Sequence, residues 1–302
     1  MSMFVVYVCS IYVINIMFPE RKGTIIGLMY GVNTAGVAVI SPVVTILSES
    51  FSIGTAIMLQ GAAVTLIVLI GVTLIKIPEG MKEAAFEENL PEEAEEDDKS
   101  AVKFGMDWKK LFRHPSFYLL LLMAILVQMI GNVLASDAAY MAETTLGITT
   151  VQASFVVSVF SIGAIFGGIL VGYMADKIGP FKATAFTSLF NALVLLLVGL
   201  FGMNSYALFA TSVAVQGLTY NGVSAVLAVI VTESYGAKNL GINMGIVGIG
   251  QMIVGVLGPQ FGLMFPAGTV FVCCAGFSAL GAVFAFLTRN SVNGYYKRLV
   301  VR

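Results

Sequence analysis

The chain has 302 residues, of which 58% are hydrophobic and 11% charged, with a mean hydropathy of +0.93 and a formal net charge of -1. A water-soluble domain of this length has no core large enough for so much apolar side chain, so an all-α integral membrane protein is expected. The acids cluster in one segment and the basic residues are spread over several loops, so the net charge says nothing about a nucleic-acid partner, and none is expected of a chain this apolar.

Crossing roughly 30 Å of hydrocarbon takes about 20 apolar residues. Nine such runs follow one another, at about 2–18, 24–48, 53–75, 116–136, 149–174, 181–202, 205–232, 240–265 and 268–288. They are continuous rather than alternating, and open sheets cannot sit in lipid, so each is read as a helix. Met1 to Phe18 lacks a basic start and a small-residue cleavage site, so the first run is read as a span and no cleavable leader is expected. Cys9, Cys273 and Cys274 fall inside apolar runs without a paired spacing or a nearby His, and are read as small hydrophobes.

Basic residues mark the cytoplasmic loops. Arg21 and Lys22 follow the first run, seven Lys and Arg from Lys76 to Arg113 follow the third, and Lys177 and Lys182 follow the fifth. Lys238 follows the seventh and the remaining four follow the ninth, which accounts for all 16. The other loops carry only Glu49, Asp137 and Glu143. This sorting predicts a cytoplasmic C-terminus and, with nine spans, Met1 outside. Residues 1–75 then form one group of three spans, 76–114 a cytoplasmic linker, 115–288 a group of six, and 289–302 a tail. The acidic run within Glu83 to Asp98 is expected to be solvated chain. Its far end interleaves Trp108, Leu111 and Phe112 with Lys109, Lys110 and Arg113, which suits a short helix at the headgroups. His114 is read as an interfacial residue beside it.

Two patterns organise the rest. Aligning Phe18 with Tyr235 pairs Arg21 with Lys238, Gly31 with Gly248, Ser41 with Gly258 and Pro42 with Pro259, so the first spans weakly repeat the last ones. Between the fifth and sixth runs stands GYMADKIGPFK, with Gly172, Asp176, Lys177, Gly179 and Lys182. Gly179 and Pro180 suit a turn and the first position of a helix. Asp176 can accept hydrogen bonds from the start of a neighbouring helix in one conformation and release them in another, and is read as a gate.

That hinge resembles the signature loop of the major facilitator superfamily, a glycine, three residues, then Asp, a basic residue, any residue and Gly, with Pro180 where a second basic residue is usual. FPERKG at Phe18 to Gly23 and RHPSFYLLLL at Arg113 to Leu122 are similar to the oxalate/formate antiporter and monocarboxylate-transporter branch. The resemblance implies two six-helix halves, of which the first three helices are missing here, and a secondary transporter of small organic anions working by alternating access. It implies a multi-pass protein of the plasma or bacterial inner membrane. The Arg that oxalate carriers place in the eighth helix falls at Gly168 here, and 241–265 holds no basic residue, so a dianion is disfavoured, which leaves a monocarboxylate moving with a proton or a larger amphipathic organic acid.

The cavity-lining helices of the family correspond to the first, fourth and seventh runs. Their polar residues include Tyr7, Tyr12, Asn15, Gln128, Asn132, Gln216, Tyr220 and Asn221, with Asn33 and Gln251 as secondary candidates. Helix-helix hydrogen bonding competes with substrate contact at each. Asp137 is either a proton site or an exposed loop carboxylate, with the loop preferred. Gly163, Gly167, Gly168 and Gly172 let helices approach closely. No Walker-type loop, catalytic triad or metal cluster is read, so neither an enzyme nor a cofactor is expected. The competing reading is a non-transporting fragment or a membrane sensor of the same fold.

Overall fold

The structure is a computed structural model and describes residues 2–35, 53–74, 108–236 and 239–300. All described elements are helical. They are α1 (Ser2–Met17), a 3₁₀ turn (Pro19–Arg21), α2 (22–35), α3 (Ile53–Leu74), α4 (Trp108–Arg113), α5 (Pro115–Leu146), α6 (Thr150–Ile178), α7 (Pro180–Phe201), α8 (Tyr206–Tyr235), α9 (Leu240–Met264) and α10 (Ala267–Val300). Among the described residues, six helices are long and apolar enough to cross a membrane, all of them from Pro115 onward. The first three expected spans fall on α1, on α2, whose expected remainder lies outside the described residues, and on α3. The acidic run of the linker also lies outside them.

The chain forms two compact units, Met1–Ala35 with Phe104–Arg302, and Gly36–Lys103. The second is described through α3, whose apolar side chains Met58, Leu66 and Ile67 are exposed. In the first unit, α8 packs most extensively on α6, α10 on α7 and α5, and α9 on α5. Its interior is apolar around Phe117, Leu120, Val226 and Ile230 at one end and Val133, Phe209 and Phe271 at the other.

Local chemistry sets the breaks between helices. Pro115 opens α5 where its missing N–H costs nothing, and Gly147, at φ 64°, closes it. Thr149 and Gln152 cap the start of α6 reciprocally. Gly179, at φ 89°, turns the chain between α6 and α7 in a backbone region that side chains avoid, and Pro180 starts α7.

Three sequence expectations change in detail. α5 runs ten residues past its expected end, so Asp137 and Glu143 lie in a helix rather than on a loop. α10 continues to Val300, so much of the expected tail is helical backbone. The six-residue α4 forms at the expected place, but with Leu111 fully buried beneath exposed Lys109 and Lys110, so it is packed onto the bundle rather than only resting at headgroups. His114 follows it, its Nδ1 2.7 Å from Ser116 Oγ, which lies 3.3 Å from Tyr235 Oη. Partial desolvation there pushes the imidazole pKa below its ordinary value.

Candidate functional site

Two features of the first unit stand out, a cavity and a polar junction beside it. The cavity, about 180 Å³, is lined by Tyr7 and Ile11 of α1, Tyr30 of α2, Ser224 and Leu227 of α8, and Met244, Val247, Gly248 and Gln251 of α9. The Tyr7 and Tyr30 rings meet at 5.1 Å between centroids, tilted by 56°. Two phenols, a hydroxyl and an amide therefore face a space otherwise walled by aliphatic side chains. The wall is drawn from both ends of the chain in repeat-related pairs. The alignment that pairs Phe18 with Tyr235 also sets Tyr7 against Ser224 and Tyr30 against Val247, and all four line the cavity. The helix breaks agree, since α1 ends at Met17 and α2 begins at 22, as α8 ends at Tyr235 and α9 begins at Leu240.

The junction ties α2 to α6 and α8, about 12 Å along α2 from Tyr30, eight residues at 1.5 Å each. Asp176, at the end of α6, accepts hydrogen bonds from the start of α2. Gly23 N–H and Thr24 N–H each donate at 2.8 Å, one to each carboxylate oxygen, and Thr24 Oγ1 donates at 2.5 Å. The first amides of a helix have no partner within it, and the helix dipole favours an anion there. Lys22 Nζ beside them pairs with Glu233 of α8 at 2.8 Å. Above this junction α2 and α6 run backbone to backbone: a Cβ at Gly27 or Gly168 would overlap the carbonyl of the other, and Gly23 and Gly172 are related in the same way. The opposite face of α6 meets α8 at Gly163 and Gly167, again with no space for a side chain. Lys177 sits over the Tyr173 ring at 5.7 Å, and Lys182 lies exposed in the first turn of α7.

The remaining candidates are distributed through the bundle. Gln128 is buried and donates to Ser224 Oγ at 2.7 Å, one residue behind the cavity wall. Gln216, fully buried, donates to Asn191, which donates to Ser278 at 3.0 Å, so it ties α8 to α7 and α10 away from the cavity. Asn221 bonds Thr34 of α2 at 3.1 Å and the Ala164 carbonyl at 2.8 Å. Asn15 and Asn132 bond carbonyls of their own helices, at Ile11 and Gln128. The Tyr220 ring packs on the Gly131 backbone and near Phe160. Tyr12 packs half-buried against the apolar core. Asp137 stands half-buried over Gly262 of α9, with Oδ2 buried and without a hydrogen-bond partner among the described residues. Of the eight polar residues named on the cavity-lining runs, Tyr7 lines the cavity, as does Gln251 of the secondary pair, and the other seven do not. Buried amides in lipid find partners wherever a neighbouring helix offers one. Tyr30 and Ser224 are the polar lining residues that sequence reasoning missed. The signal for both lay in the repeat, which sets Ser224 against Tyr7 and Tyr30 against Val247.

Known proteins place this architecture. The bacterial homologue of the iron transporter ferroportin, solved in an outward-facing state, superposes with a TM-score of 0.60 at 12% identity, over 93% of this chain and 66% of that one. The uncharacterized MFS-type transporter YhjX of Escherichia coli (strain K12) is 24% identical over 236 residues, 77% of this chain and 55% of its own length. The chain thus spans about half the length of that relative. The Major Facilitator Superfamily model matches twice, at residues 1–141 and 120–298. With its signature-like hinge, its repeat and these two matches covering nearly all of its length, the chain belongs to the Major Facilitator Superfamily.

Proposed function

We propose that the chain forms the core of a secondary transporter that carries a small organic anion of the monocarboxylate type across the cell membrane by alternating access. One observation carries the reading: a cavity shared by two repeat-related helix pairs, with a breakable polar latch beyond one end of it. Asp176 and the Lys22–Glu233 pair hold α2 to α6 and α8 through hydrogen bonds and charge, while the glycine seam behind them has no interlocking side chains. Such a contact separates without unpacking a core, which a rocking transporter requires. The latch end also carries the basic loops, which supports placing it, and the C-terminus, in the cytoplasm.

A dianion remains disfavoured on this reading. Gly168, where the oxalate carriers place an Arg, is packed against the Gly27 carbonyl. A monocarboxylate asks less of the phenols, hydroxyl and amide around the cavity. Asp137, with its unpartnered oxygen, is the candidate site for a coupling proton. Residues 1–75 are then part of an N-terminal half and 115–288 the C-terminal half, with three further helices supplied upstream.

Uptake of labelled lactate and formate into proteoliposomes tests this, using this chain and a version extended upstream by the genomic reading frame. Uptake that depends on the protein and rises with an inward proton gradient is expected. Failure of both versions overturns the substrate class. Equal uptake by both overturns the need for more helices, and uptake by the extended version alone leaves this chain a non-transporting fragment.

A further inference from the structure

We propose that a second cavity, on the latch side of the six-helix group, is a seat for a phosphate-bearing anion held by Lys182 and Arg289. It has a volume of about 290 Å³, lies between the α6–α7 turn, the last turn of α8 and α10, and shares no lining residue with the Tyr7–Tyr30 cavity. Lys182 comes from α7 and Arg289 from α10, and the Ser234 hydroxyl and Asn293 amide add neutral hydrogen-bonding groups. Glu233 is the carboxylate of the lining, and Lys22 takes up its charge at 2.8 Å. Among the described residues neither Lys182 nor Arg289 is paired with a carboxylate. Two cations thus face one concave space with their charge uncompensated.

The chemistry of these groups selects the ligand. A guanidinium fork binds two oxygens of a phosphate at once and an ammonium binds a third as a point charge. The space is about ten times the share of one water in the liquid, enough for a phosphate with an ester substituent. Ile178, Phe181 and Val292 supply an apolar side to the same cavity, matching a ligand with an anionic head and a hydrocarbon root. Its place at the ends of membrane helices also fits, since basic pockets between spans at the headgroup level hold anionic lipid heads. An anion seated here ties the hinge residue Lys182 to α10 next to the Lys22–Glu233 pair, so its occupancy is coupled to the latch.

The full chain in nanodiscs of phosphatidylcholine with added phosphatidylglycerol, followed by delipidation and native mass spectrometry, tests the proposal. A parallel arm titrates inorganic phosphate into the protein in phosphatidylcholine alone and follows thermal melting. Retained phosphatidylglycerol identifies a lipid headgroup, and a phosphate-dependent rise in melting temperature without it identifies a free phosphate. Each basic residue at a membrane surface changes affinity about fivefold, so K182Q/R289Q lowers it by about 25-fold. K182R/R289K, which keeps both charges, retains the ligand and controls for folding. The K109Q/K110Q pair, elsewhere on the same face, is expected to bind as the parent does. Loss of neither ligand in K182Q/R289Q, or equal loss in K109Q/K110Q, overturns the proposal.

Discussion

Asp176 is half-buried between two helices, and each of its carboxylate oxygens accepts from a different amide of the α2 start. A neutral side chain of the same shape keeps one good acceptor and turns the other position into a donor facing a donor. Substitution by Asn therefore removes one hydrogen bond and the charge that favours the helix start, a loss of about 1–2 kcal/mol from the joined state. The rest of the bundle does not depend on that carboxylate, because α6 is anchored on α8 over its other face. Asp176→Asn is thus expected to reach the membrane in near-normal amount while turnover of an upstream-extended, transport-competent version drops by about tenfold. Counterflow measured at equal protein loading checks this, and unchanged turnover refutes a gating role.

α6 is the element on which the arrangement turns, since it presents glycines to two neighbours. Gly163 and Gly167 face α8 within one helix group, and Gly168 and Gly172 face α2 across the seam of the proposed motion. The two faces make the same demand for space but do different work. A methyl at Gly27 has to displace the α6 backbone, and overpacking of this kind costs about 1–3 kcal/mol. Gly27→Ala is accordingly expected to lower the melting temperature in detergent and loosen the α2–α6 contact. Gly255→Ala, where a Cβ meets nothing within 4 Å, is expected to leave melting unchanged or raise it slightly. Equal melting of both variants argues against a tight seam. These glycines and the limits of the runs that form α6 to α9 were legible in the sequence, because apolar length, Gly-Pro turns and small-residue spacing are local properties. The continuation of α5 through Asp137 was not, since a carboxylate in an apolar run reads as its end unless the packing over Gly262 is known.

At the scale of the whole molecule, the site was only half legible. Residue type alone marked Gln128, Gln216 and Asn221 as polar groups in lipid, but their partners Ser224, Asn191 and Thr34 lie on other helices, and only the packing decides between bonding there and facing a cavity. The cavity itself emerges from the repeat, which places α1–α2 opposite α8–α9. That arrangement makes a demand on motion. Lys22 is held to Glu233 and Asp176 to the start of α2, so on the proposed transport reading a solute leaves toward the end bearing the basic loops when α2 parts from α6 and α8. Joining 22 to 233 covalently should then stop transport without disturbing the fold, because the bond reproduces a contact already present. K22C/E233C, in an upstream-extended version with Cys9, Cys273 and Cys274 replaced by Ser, is expected to lose nearly all uptake when cross-linked by a short bifunctional thiol reagent. The uncross-linked protein, which lacks the ion pair, is expected to transport more slowly than the parent but measurably, and either single cysteine treated alike to keep its own untreated rate. A cross-linked protein that still transports at the untreated rate would place the moving contact elsewhere in the bundle.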